Sequence, residues 1–546
     1  MDELASQLER RLGQLVAQRQ PNEEVWRDVF TYLAPERATG WCGDNHTNAA
    51  SAQAQRARLY DSTAVDASEV LKSNFASGMT PENARWFGLD AGQRGEEASA
   101  WMDGAAQFLF EHIHSSGFSS AAYEGYSDLV PAGWFVMYID QAKDSQGRDA
   151  PGFNFEAWPL HQCYAASSRT QGKVDTIYRV WTPTVEQVVT EYGLDKVSEG
   201  TRKKFNEGQL TEKIEMLWAI EPRRGASGVL AKNLPFRSLH MEKHCKYIVR
   251  ESGYHEFPCA VPRWRLIPGT PYATGIGSNV LPDVKTLNDI LRLELSSLDI
   301  AVSGMWKAVD DGVLNPKTIR IGARKIVMMA SLDSMAPLET GANFNVSFSK
   351  SADLRSSIRK TLMADQLTPA NGPVRSATEI QQNMMLIRQL LGPILGRLQS
   401  EFPKVVVERC FGIAFRAGAL EAELGPVPES LSNADYTVTY ISPLSRSQKM
   451  EQVTAVRAFA GDLIAQAAAT QNPSMLDVIK WDEMNYEVGQ DYGVPDKFLR
   501  GPVELTKKRQ LDAQAQQQAK QQAAQEQLMM QAGSAAIEGV AASAAA

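Results

Sequence analysis

The residue types best suited to chemistry gather in one stretch of the chain. His240-Met241-Glu242-Lys243-His244-Cys245, with His255 and Cys259 shortly after, offers imidazole, carboxylate and thiol groups, the donor set of a zinc site. Spacing argues against it. In a strand His244 and Cys245 point to opposite faces; His240 and His244 can share a face in either period, but an ordinary strand-and-turn role is the favoured reading. No metal and no cofactor are expected. Other chemistries lack their motifs: there is no GxxxxGKS/T to cradle phosphates, and Gly275-Ile276-Gly277 lacks the third glycine and preceding strand of a dinucleotide site. A GxSxG nucleophile elbow and an HExxH zinc helix are absent as well, so no catalytic residue is assigned and an enzyme is not expected.

A cluster of charge is more informative. Lys317, Arg320, Arg324 and Lys325 lie in a stretch with no Asp or Glu between Gly312 and Leu332. With TIRIGARKIV folded as two short strands around Gly322-Ala323, the four cations sit on a protruding tip. They serve there either as a docking surface or as edge-protecting charges on a solvated hairpin. Over the whole chain, 56 basic and 64 acidic residues give a net charge of −8, which argues against a surface that grips nucleic acid everywhere. Five cysteines without a CxxC are expected as free thiols. The chain of 546 residues allows about three to four domains, and a composition 43% hydrophobic and 22% charged excludes global disorder. The charged opening MDELASQLERRLGQLVAQRQ does not read as a secretory signal, and no uncharged apolar run nears the roughly 18 residues of a membrane span, so cytoplasmic synthesis is expected.

The elements that would position these residues follow from periodicity. Leu4, Leu8, Leu12 and Leu15 fall on one helical stripe, and a second helix is predicted from Pro21, with Val25, Trp26, Val29, Phe30 and Leu33 as its apolar face. Residues 36–58 read as an exposed loop, and a helix capped by Asp61 or Ser62 runs to Gly78. From Phe153 to Pro268, runs such as TIYRVWTP and KIEMLWAIEP predict an antiparallel α+β domain. Val284, Leu287, Leu291, Leu295, Leu298, Val302 and Met305 then form an unbroken stripe on a helix from Pro282 to Trp306, about 37 Å long. A β-like insertion (Lys307 to Val346) separates it from a returning helix, Asp353 to Asp365. A loop, Leu367 to Ser376, precedes a long helix in which Pro393 and Pro403 should interrupt the backbone ladder. A strand at Asp435 to Ile441, a helix opening at the Ser445-x-x-Gln448 capping box, and a Gln/Ala-rich end complete the chain.

Four colinear segments resemble one family, the portal or head-to-tail connector proteins of short-tailed bacteriophages. RLYDSTAVDASEVLKSNFASGMTPENARWFGL (Arg58 to Leu89) resembles its opening signature, and HEFPCAVPRWRLIPGTPYATGIGSNVLPDVKTLN (His255 to Asn288) resembles the approach to its stem helix. ATEIQQNMMLIRQLLGPILGRLQSEF (Ala377 to Phe402) is similar to the kinked wing helix, and ISPLSRSQKMEQV (Ile441 to Val453) to the start of the crown. Where the family usually shows Tyr-Gly, this chain has Tyr272-Ala273-Thr274-Gly275.

The resemblance implies an α+β portal fold assembled as a ring, with twelve subunits. The expected domains are N-terminal helices and wing (1–280), stem helix one (281–306), clip (307–347), stem helix two (348–366) and channel loop (367–376). A kinked wing helix with return strand (377–440), a crown (441–502) and a Gln/Ala-rich helix or tail (503–546) follow. Leu287, Leu291, Leu295, Leu298 and Val302 become candidates for lateral packing of stems, and Lys317, Arg320, Arg324 and Lys325 for clip docking. Asn371 and Arg375 become candidates for the DNA channel, against the plainer reading that Arg375 pairs with Glu379 in a simple connection. The implied partners are other copies of the chain, the large terminase subunit, tail adaptor and tail tube proteins, major capsid and scaffold proteins, internal core or ejection proteins, and double-stranded DNA without sequence specificity. The implied location is the portal vertex of the virion. The alternative is a non-channel virion structural or scaffold protein.

Overall fold

Helix α1 (Asp2–Leu33) carries both N-terminal apolar stripes without a break, with Pro21 inside it. This differs from the two helices expected. A proline ring already holds a helical φ, so its cost is the lost bond to the Ala17 carbonyl and local crowding, and burial on both sides offsets that cost. Leu8, Leu12 and Leu15 pack on one face of a sheet, while Trp26 and Phe30 enter a second core with Trp41, Trp134 and Tyr272. Near the proline, the Arg19 guanidinium donates to the carbonyls of Leu160 (3.2 Å), His161 (2.9 Å) and Cys163 (2.6 Å).

The computed structural model describes residues 2–41, 53–54, 56–83, 85–90, 96–143, 149–170, 172–223, 225, 230–303, 306–308, 335–337, 344–367, 392–431, 437–440, 443–470, 473–491, 505 and 508–509. They divide into two bodies, Met1–Phe87 with Ala106–Gly425, and Gly88–Ala105 with Pro426–Ala546. In the first body, α2 (Thr63–Met79) begins as expected: the Asp61 carboxylate accepts from the Thr63 amide at 2.8 Å, and Ser62 makes no side-chain cap. Strand β1 (Phe87–Asp90), all but its first residue in the second body, and α3 (Glu96–Ser115), whose residues from Ala106 belong to the first, are followed by α4 (Phe118–Ala132).

The predicted antiparallel region is present. Strands β2 (Val136–Lys143) and β3 (Asp149–Trp158) form a hairpin that β9 (Cys259–Ala260) extends. A five-stranded antiparallel meander runs β4 (Cys163–Ala166), β5 (Thr176–Trp181), β6 (Met216–Pro222), β7 (Phe236–Glu242) and β8 (Tyr247–Tyr254). Between β5 and β6 lie α5 (Val185–Tyr192), which opens with a complete Thr184/Gln187 capping box, and α6 (Glu199–Asn206). Alternation on β6 sorts the cores: Leu217 and Ala219 face α1, whereas Trp218 and Ile220 face the aromatic core.

A two-stranded ladder of β10 (Arg265–Leu266) and β11 (Ala273–Thr274) leads into the long helix α7 (Ile276–Ser303), which starts six residues before the expected Pro282. The glycines around its start explain the difference. A Cβ on Gly275 or Gly277 would come within 2.8 Å of the Pro131 carbonyl, so this pair lets the new helix pack directly on the end of α4. Strands β12 (Trp306–Ala308) and β13 (Met335–Pro337) flank the insertion, and α8 (Phe344–Thr361) returns from it, nine residues before the expected start. Leu362 and Met363, the latter at φ 60°, then break the expected single helix, and α9 (Ala364–Leu367) follows. Helical residues 392–401 give way at Phe402 to α10 (Pro403–Arg416), which places the expected Pro403 interruption at a helix start; α11 (Ala419–Leu424) closes the body.

In the second body β14 (Thr437–Tyr440) pairs with β1, and α12 (Pro443–Thr470) and α13 (Trp481–Asp491) follow. Helix α12 opens at Pro443 rather than at the Ser445 capping box, using proline where a helix has no amide partner to lose.

Candidate functional site

The two long helices of the first body form an antiparallel pair, because their side-chain bonds run in opposite order along the chain. Ser357 Oγ donates to Asp283 at 2.8 Å, while further along α7 the Glu294 carboxylate accepts from Ser347 and, at 3.2 Å, from Ser351. At 28 residues, α7 is about 42 Å long. Its first half is anchored. Val280, Val284 and Leu287 are buried, Lys285 pairs with Asp28 on α1, and Asn288 Oδ1 accepts from the Tyr60 amide at 2.7 Å. Arg355 on α8 pairs with Asp61 at 2.9 Å. Burial pulls the Asp61 carboxyl up, but donors from Thr63 and Arg355 outweigh it and leave the group below its usual range. The Arg58-to-Thr63 segment is thus a socket for both helices.

Beyond Asn288 the pair emerges. Leu291 is half-buried, but Leu295 and Leu298 are each 52% exposed, and Leu293 and Phe348 each 61%. Among the five stripe candidates, Leu287 is therefore enclosed by its own chain and Leu295 and Leu298 are open; Val302 lies in α7, its side chain outside the described residues. After α7 and before α8 in the chain, β12 and β13 pair antiparallel, Trp306 with Pro337 and Ala308 with Met335, so the two strands that bound residues 309–334 lie side by side. The cationic tip Lys317, Arg320, Arg324 and Lys325, and the loop residues Asn371 and Arg375, lie outside the described residues.

The metal-donor stretch is dispersed. His240 is buried on β7, its ring 4.3 Å from that of Trp218 and its Nδ1 2.7 Å from Tyr192 Oη. Glu242 is also buried, accepting from the Ser198 amide (2.9 Å), Ser198 Oγ (2.5 Å) and Thr201 Oγ1 (2.7 Å), which docks α6 on β7. Cys245 is exposed and Cys259 sits in the core on β9. Among the described residues no group of three or more His, Cys, Asp or Glu is arranged to hold a metal.

Sequence reasoning missed the ion pairs that lock the late helices to this framework. Arg263 and Glu401 form a buried two-point pair at 2.6 and 3.2 Å. Glu256 accepts from Arg409 at 2.7 Å and from both Arg416 nitrogens at 2.5 and 2.8 Å; these donors outweigh the effect of burial and hold its carboxyl below the usual range. More than a hundred residues separate each pair, so no local pattern announces them.

Comparison of the sequence with known proteins gives the family. The family model described as "Bacteriophage head to tail connecting protein" matches residues 5–499. The chain belongs to this head-to-tail connector family. Over 553 aligned residues it is 27% identical to a "Probable portal protein" of Bordetella phage BPP-1, spanning 94% of each chain. It is 25% identical over 538 residues to the "Portal protein" of Salmonella phage epsilon15, spanning 93% of this chain and 92% of that one. Among the described residues, no helix is long and apolar enough to cross a membrane.

Proposed function

We propose that this chain is a phage portal: a closed ring at one capsid vertex through which double-stranded DNA is packaged and later ejected. The observation that carries the reading is the family match over residues 5–499, on a chain whose long helix pair leaves leucines uncovered. Those leucines support lateral assembly. At about 100° per residue, Leu293 lies roughly 200° around α7 from Leu295 and about 140° from Leu298. The apolar surface is therefore split between two sides, as a head-to-tail contact between neighbouring copies in a ring requires. The resemblance to short-tailed phage portals implies twelve copies.

In this reading the helix pair is the stem and the insertion the clip, where terminase and then the tail adaptor dock on Lys317, Arg320, Arg324 and Lys325. The loop 367–376 faces the channel, with Arg375 offering weak, salt-screened phosphate contacts. A net charge of −8 suits a channel through which DNA must slide. The test is negative-stain microscopy with mass photometry on the purified full chain. Rings with an axial hole are expected. Monomers alone, across protein concentrations and salt conditions, would overturn the reading.

A further inference from the structure

A recess of about 790 Å³ opens between the β2–β3 hairpin and the five-stranded sheet, within the first body and away from the helix pair. Its floor is aromatic, with Trp218, His240 and Tyr138 buried and Trp181 half-buried. Its charged rim is unbalanced. Lys143, Lys213 and Arg250 are exposed and make no side-chain hydrogen bond or ion pair among the described residues. The carboxylates are mostly engaged: Asp140 accepts from Tyr138 Oη at 2.6 Å, and Glu156 from Asn154 (3.0 Å) and Trp158 Nε1 (3.2 Å). Glu191 is engaged as well, hydrogen-bonded with Tyr192 and in the field of Arg250 and Lys143, so three cations without a hydrogen bond or close ion pair lie beside carboxylates that are already held.

The amide side chains narrow the choice of ligand. Gln162 and Gln187 use their oxygens internally, accepting from Arg179 Nε and the Thr184 amide, and present NH₂ donors. Asn154 and Gln141 use their NH₂ groups internally, donating to Glu156 and the Ala150 carbonyl, and present oxygen acceptors. Donors and acceptors in equal number match a peptide backbone, which carries both. A phosphate offers acceptors only and would meet two amide oxygens and Glu191 unfavourably. The volume falls in the range of pockets that enclose single ligands or short segments, about 300–1,000 Å³.

We propose that this recess is a docking site for an acidic peptide segment of a partner protein: carboxylates on the Lys143, Lys213 and Arg250 rim, backbone on the four amides, and an aromatic or apolar side chain against Trp181. The proposal stands apart from the ring reading, since it needs only the folded first body.

The test titrates the full-length protein with a short fluorescein-labelled peptide of alternating glutamate and tyrosine, read by anisotropy and by quenching of Trp181. Binding that weakens with salt is expected, with affinity falling about tenfold or more in the Lys143→Glu/Arg250→Glu variant. The exposed pair Arg359→Glu/Lys360→Glu on α8 is the control and should bind as the parent does. Both variants change exposed side chains, and circular dichroism checks that each is folded. Three results would each overturn the proposal: unchanged affinity in the rim variant, equal binding of the glutamine-for-glutamate peptide, or displacement of the peptide by inorganic phosphate or a single-stranded oligonucleotide at lower concentration.

Discussion

His161 sits among Arg19, Arg37 and Arg179, and burial first, then those three cations, pushes its pKa down to about 4. Burial likewise lowers His114 and His240. In the unfolded chain each would titrate near 6.5. Above that pH the histidines are neutral in both states and stability is complete. As pH falls below it, the unfolded chain takes up protons that the fold refuses, and His161 alone removes up to about 1.4 kcal/mol per pH unit until its folded pKa is passed. Asp61 and Glu256, held below the usual carboxylate range, add a loss that begins at lower pH. The melting temperature should therefore decline from pH 7 to pH 5, and less steeply in His161→Gln; an identical slope in that variant would remove His161 from the account. Little of this was legible in the sequence. Arg19 reads there as one more helix charge, because the carbonyls it holds lie more than 140 residues away. Glu242 reads as a metal-donor candidate because Ser198 and Thr201, its actual partners, are not neighbours along the chain.

Helix α7 is buried in its first half and exposed beyond it, and in the ring reading these halves serve folding and assembly respectively. Leu287 is 1% exposed, so Leu287→Asp buries an unpaired charge and should destabilise the chain by more than about 4 kcal/mol, read as loss of the cooperative melt. Leu295→Asp with Leu298→Asp alters exposed positions and should leave the monomer's melting temperature within about 2–4 °C while abolishing rings in mass photometry. Rings in the double variant would mean that the stems do not pack through this face. The buried start of the stripe, Val284 and Leu287, was readable from spacing, as were the strand runs TIYRVW and MLWAIEP, because each element buries one side at a fixed period, whereas spacing could not tell that Leu295 and Leu298 are exposed. Element starts were not readable either. Pro21 and Pro282 both lie inside helices whose packing outweighs a missing amide, and the same glycine pair that resembles a fragment of a nucleotide motif serves close helix contact at Pro131.

For the molecule as a whole, the family was legible in the sequence, and its model matches residues 5–499, while the ion pairs that tie the fold together leave no local trace. Charge reversal at Arg320 and Lys325 should weaken terminase or adaptor binding several-fold at low salt with rings intact, and deletion of 370–373 should lower the ratio of full to empty heads. Affinity unchanged at low salt would return the cluster to a solvated hairpin, and a normal ratio would leave the loop a plain connector. The pairing of Trp306–Ala308 with Met335–Pro337 has a consequence for inheritance. A segment whose two ends are hydrogen-bonded to each other can be exchanged by recombination at those ends without shifting the helices that bear it. The sequence between these two strands can therefore change in length or be replaced while the points at which they pair stay where they are.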